Sequence, residues 1–282
     1  MGAGVELPAA VCRQYVALSR FNSPYPAHDR GHAVDLYPDA GAPSPVAGEV
    51  VAHHRVRAPS RGHAEPHDHL LVVDTGEHLA RLLHVEPSVG DGDVVAVGDD
   101  LGRTVRSGYF APWVDDHLHL GFRPPDADPV RATGSLPLEL GIPVEPVAWD
   151  GTGSVVETGE TSAVLDAPGH PAPGERFAGI ATDGGDSDAG PTGPALDGGL
   201  PHYDGAGLFG RGAGPVSLLG TEVGVAEDSR VRWHDVEVRA NGTPVHGLSL
   251  GAFREGLRAK LVSWDGPPAE VGERVVVTIS CR

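Results

Sequence analysis

Histidines crowd one part of this 282-residue sequence, 11 of the 15 falling between positions 28 and 119. Imidazole is the commonest protein ligand for zinc and the usual proton-transfer group near neutral pH, so the crowding points to metal or acid–base chemistry. The sharpest spacing is His117 and His119, set two apart in an apolar run with Leu118, Leu120 and Phe122 that reads as a strand. Side chains on a strand alternate between faces, so both imidazoles project from the same face. One can hold a metal while the other faces a reacting water. His32 with Asp35, and His84 directly after Leu82 and Leu83, complete the residues that could do chemistry.

Other histidines have plainer readings. His63, His67 and His69 fall in an expected solvated loop that leads into the apolar run Leu70 to Val73, and His53 and His54 follow a strand. Trp113 suits a core or rim position. Asp115 or Asp116 could orient His117 by accepting a hydrogen bond, although a surface carboxylate is ordinary in so acidic a chain.

The elements around these residues are β. Short runs rich in Val and Leu, at residues 48–52, 70–73, 79–83 and 94–97, are separated by Gly, Pro and Asp, and no helix of normal length fits between them. Residues 1–30 are read as a lead-in with a short helix around Ala9 to Leu18, and residues 31–123 as a compact antiparallel domain. Prolines from Pro124 to Pro146 place the domain boundary near residue 124. Residues 124–282 form a second β-rich region whose role the sequence does not give, with a Gly/Pro/Asp-rich loop expected at 167–215. Asn241-Gly242 between two strand-like runs signals a hairpin, and residues 274–280 read as a closing strand.

In chain order, five features resemble the lysostaphin-type (LytM-like) zinc metallopeptidases across roughly residues 28–123. They are His32 with Asp35, the run Ser44 to Val51, His84 after Leu83, the run Val89 to Gly98, and His117 with His119. The resemblance implies the duplicated hybrid motif fold, a small antiparallel β-sandwich. It implies zinc held by His32, Asp35 and His119, catalysis by His84 and His117, and hydrolysis of a peptide or peptide-like amide bond by a metal-activated water. The sequence departs from the family pattern at one place, having two residues and not three between His32 and Asp35. An odd separation on a regular strand points side chains to opposite faces, so His32 reaches the site only through a β-bulge at Ala33–Val34.

Two other readings stay open at this stage. One is a non-catalytic metal-binding or ligand-binding module on the same scaffold. The other is a sugar phosphotransferase-like carrier, against which the carboxylate of Asp35 argues, since a phosphocarrier needs no such ligand.

Composition narrows the partners. A net charge of −18 with no Lys/Arg-rich run repels phosphate backbones, so nucleic acid is not expected. Lys260 is the only lysine and Asp outnumbers Glu, a balance that keeps a surface soluble in high salt, although GC-rich codon usage gives the same bias. Cys12 and Cys281 show no ligand or disulfide spacing. No apolar run reaches the ~20 residues of a membrane span and no signal peptide is read at the start, so a cytoplasmic protein is expected.

Overall fold

The computed structural model describes residues 4–184 and 192–282, which build two compact all-β units. One comprises Met1–Leu18 with Gly31–Ile142, the other Ser19–Arg30 with Pro143–Arg282. Among the described residues no helix is long and apolar enough to cross a membrane.

The chain opens with β1 (Val5–Leu7), the one-turn helix α1 (Ala9–Cys12), β2 (Ala17–Ser19) and β3 (Ala33–Tyr37). The helix is shorter than expected because the Val16 N–H bonds to the Tyr37 carbonyl, which draws the chain into strand geometry. Then follow β4 (Gly48–Arg57), β5 (His67–Asp74), β6 (Leu79–Leu83), β7 (Val85–Pro87), β8 (Val94–Val95), β9 (Gly102–Thr104), β10 (Leu118–Arg123) and β11 (Leu138–Leu140). Strands pair antiparallel in the order β3-β10-β6-β5-β4-β8. Val34, Leu36, Leu71, Leu82, Leu118 and Leu120 are buried along this sheet. At about 1.5–3 kcal/mol for each fully buried aliphatic side chain, this packing is what fixes the register.

The boundary expected near residue 124 lies later, after Ile142. Prolines end the strand, but the chain turns back onto its own unit: Leu136 N–H bonds to the Phe122 carbonyl, Arg81 Nη1 donates to the Ala132 carbonyl at 2.7 Å, and β11 pairs parallel with β1.

The second unit contains β12 (Val144–Val147), β13 (Thr152–Thr158), β14 (Ser162–Leu165), β15 (Phe177–Asp183), β16 (Thr192–Leu200), β17 (Gly205–Leu218) and β18 (Thr221–Trp233). It continues with β19 (Val236–Ala240), β20 (Thr243–Val245), β21 (Gly247–Leu250), β22 (Ala252–Phe253), β23 (Lys260–Val262) and β24 (Arg274–Cys281). Leu165, Leu196, Leu208, Val223, Leu261 and Val275 are among its core residues. The stretch 167–215, expected as a loop, thus carries β15, β16 and most of β17; residues 185–191 lie outside the described part. Asn241-Gly242 makes the expected hairpin, joining β19 to β20 with Ala240 opposite Thr243, and both turn residues take the positive φ that a type I′ turn needs.

Candidate metal centre

Three neighbouring strands deliver the chemistry to one end of the first sheet. Across β3 and β10, Asp35 lies opposite His119, and across β10 and β6, His119 lies opposite Leu83, with His84 the next residue. Directly opposed residues share a face, so Asp35 and His119 meet: His119 Nδ1 is 3.0 Å from Asp35 Oδ1. His117, two residues before His119, has Nε2 at 3.4 Å from the same oxygen. The His84 ring stands 5.3 Å from that of His117 and 6.1 Å from that of His119.

His32 takes a different course. The β3–β10 register runs unbroken from Ala33 to Leu36, so the bulge that would re-aim His32 is absent, and its Nδ1 faces the Ser135 carbonyl at 3.0 Å. The group of donors that the structure draws together is His28, Asp35 and His119, with one ligand atom of each within 4.8 Å of the others. His28 lies seven residues before Asp35, in the stretch read as a lead-in. Two imidazoles and a carboxylate are the donor set that zinc takes in catalytic sites, where a fourth position is kept for water or substrate, so these residues fit the metal.

The other two sequence-selected histidines are each held through Nδ1. His117 Nδ1 donates to the Asp115 backbone carbonyl at 2.9 Å, which leaves Nε2 as the basic nitrogen. The orienting acceptor is therefore a carbonyl and not a carboxylate; Asp116 pairs with Arg106 instead. His84 Nδ1 donates to Asp68 Oδ2 at 2.6 Å, so its basic nitrogen is again Nε2. Phe110 stacks on His117 at 4.4 Å and meets His84 edge-on at 4.6 Å, walling both rings from water.

Asp68 is a second residue, after His28, that the sequence did not single out. It is 1% exposed, and besides His84 Nδ1 it accepts the Ser107 hydroxyl at 2.6 Å and the backbone N–H groups of His69 and His84. Burial pushes its carboxyl up, but these hydrogen bonds and the neighbouring His84 outweigh burial and hold it below the usual range. Its stretch was read as a solvated loop, whereas β5 begins at His67 and makes Asp68 a strand residue. The concentration of histidines there was the one available signal; nearby His53 Nε2 and His69 Nδ1 contact each other at 2.9 Å.

His84 has a φ of 68°. A non-glycine residue in this region costs about 1–3 kcal/mol, which its two hydrogen bonds to Asp68 and the Val105 N–H on its carbonyl offset. Burial lowers the His84 pKa below its ordinary 6.5, more than Asp68 raises it, so the ring is neutral in the folded protein. Because the unfolded chain takes up this proton first, the stability from a neutral His84 is complete above pH 6.5 and is lost as pH falls below it. The melting temperature of the wild type should therefore fall more steeply between pH 7 and 5 than that of His84→Gln. Parallel slopes in the two proteins would show that His84 does not carry this term.

Residues 6–140 match the family model described as Domain of unknown function (DUF8155) N-terminal domain, and residues 145–280 match its C-terminal domain. The chain matches both halves of DUF8155. No curated protein matches. Among solved structures it is similar to the catalytic domain of the antimicrobial peptidase lysostaphin from Staphylococcus simulans, at 22% identity over 44% of this chain and 92% of that one, with a TM-score of 0.28. It is also similar to lysostaphin in solution, at 16% identity over 99% of this chain and 100% of that one, with a TM-score of 0.28. A third likeness is to the antimicrobial peptidase lysostaphin from Staphylococcus simulans, at 15% identity over 99% and 100%, with a TM-score of 0.30. At these TM-scores the likeness does not establish a shared overall fold. The DUF8155 site is read from its own residues.

Proposed function

We propose that this protein is a zinc-dependent hydrolase of a peptide or peptide-like amide bond. The observation that carries the reading is the convergence of two kinds of group at one sheet end: a His/Asp/His donor set, and two further histidines whose Nδ1 atoms are committed elsewhere. The order of motifs resembling the lysostaphin-type peptidases supports it.

His28, Asp35 and His119 would hold the ion, with His28 in the role for which the sequence offered His32. When bound, zinc supplies Lewis-acid polarisation of the scissile carbonyl. His117, whose Nε2 faces the Asp35 carboxylate, takes a proton from the attacking water. His84 is backed by an ionised carboxylate, which stabilises its imidazolium as a proton arrives; the charge on His117 faces only a neutral carbonyl on its Nδ1 side. The proton removed from water returns to the leaving nitrogen through this pair, so none is consumed. Phe110 keeps bulk water from both rings.

Two measurements test this reading. Protein purified without chelators should carry about one zinc per chain, and the loaded protein should cleave members of a mixed peptide library followed by mass spectrometry. A chain that neither retains nor takes up zinc overturns it; zinc without cleavage of any peptide leaves the metal-binding module.

A further inference from the structure

The loop carrying His28 is fastened at a point that the metal reading does not itself require. Asp197 on β16 is fully buried. Its two oxygens accept the Ser19 hydroxyl and the Arg20 backbone N–H, each at 2.6 Å. Ser19 Oγ also accepts the Asn22 N–H at 3.1 Å, and Asn22 Nδ2 donates to Ser249 Oγ at 2.7 Å. The carbonyl of Arg20 meets His28 Nδ1 at 2.7 Å. Both backbone polar groups of Arg20 are therefore committed, the N–H to Asp197 and the carbonyl to His28. A carbonyl can only accept, so His28 must carry its proton on Nδ1, and Nε2 presents the lone pair that a metal takes.

Burying a carboxylate is costly, and burial pushes the Asp197 carboxyl up to about 6 although the bonds from Ser19 and Arg20 and the nearby charges of Arg20 and His28 oppose it. Closing a loop alone would be served by a neutral side chain. A charged acceptor makes stronger hydrogen bonds than a neutral one, and its two short bonds hold the Ser19 hydroxyl and the Arg20 N–H beside the carbonyl that meets His28.

We propose that Asp197 is a positioning residue for the metal: through the backbone of Arg20 it fixes the tautomer and orientation of the His28 imidazole. This rests on the reading of His28 as a zinc ligand.

The test uses the full-length wild type, Asp197→Asn, His28→Ala and the double variant, with zinc affinity measured by competition against a chromophoric chelator. Asn keeps the side-chain shape but replaces one accepting oxygen with an amide. Partners outside the ligand shell typically contribute 10–100-fold to metal affinity, so Asp197→Asn should weaken zinc binding by about that factor. The same change in the His28→Ala background should have no further effect. In the zinc-free wild type, ring ¹⁵N shifts should report the Nδ1–H tautomer of His28, and in Asp197→Asn a mixture. Should Asp197→Asn not fold, Ser19→Ala removes one bond to the same carboxylate. It should weaken binding by a smaller factor that again vanishes without His28. Wild-type affinity in the folded Asp197→Asn or, in its place, Ser19→Ala overturns the proposal, as does an equal loss in both backgrounds. A wild type that binds no zinc overturns the metal reading itself, and the proposal with it.

Discussion

His119→Ala is expected to take the zinc content of the purified chain from about one ion to near zero, the largest change any single substitution here should produce. His119 sits on the middle of the three strands, opposed on one side by Asp35 and on the other by Leu83, and it is the β10 residue that groups with His28 and Asp35. The loss of affinity should exceed the roughly 10–100-fold that changes to outer partners cause. At zinc concentrations a thousandfold above the dissociation constant, the wild type gains about 4 kcal/mol from the bound ion, so His119→Ala should also lose the zinc-dependent rise in melting temperature. Asp35→Asn should behave in the same direction. His28→Ala should weaken binding and His32→Ala should leave it unchanged, because the His32 ring is turned to the Ser135 carbonyl. Full zinc occupancy in His119→Ala would remove the basis for the metal centre.

The second large effect is on turnover with the metal retained. His117→Ala and His84→Ala should each keep their zinc and lose about 10²–10⁴-fold in rate, the range for a general acid–base group. The double variant should fall little further than the worse single one, since residues in one proton relay act as a unit. Asp68→Asn should affect the rate through His84, by a smaller factor, as it leaves the Nδ1 partner in place but removes the charge that offsets the imidazolium. Equal zinc loss in His84→Ala, His117→Ala and His119→Ala would overturn the separation of proton-transfer groups from ligands.

Local spacing made part of this legible in the sequence. The shared face of His117 and His119 follows from the pleat, whatever the strand pairs with, and the short apolar runs broken by Gly, Pro and Asp gave the all-β fold. The hairpin at Asn241-Gly242 is likewise a local matter, because few residue pairs take two positive φ values at low cost.

Strands that lacked the usual pattern were not legible. β16 and β17 are rich in glycine, which has little strand preference of its own, and they exist because their backbones pair with each other and with β18 and β21. Asp68 looked like a loop carboxylate until the partner of its strand put His84 beside it. His32 stands close to Asp35 in sequence, yet its ring faces the Ser135 carbonyl beside an unbroken β3 register, while His28, hidden in an apparent lead-in, is the histidine that groups with Asp35 and His119. The sequence by itself determined which residue types were available and which neighbours along one strand share a face. Only the tertiary structure decided which of them meet, since register between distant strands and the path of a loop depend on contacts up to 227 positions apart that no local spacing encodes.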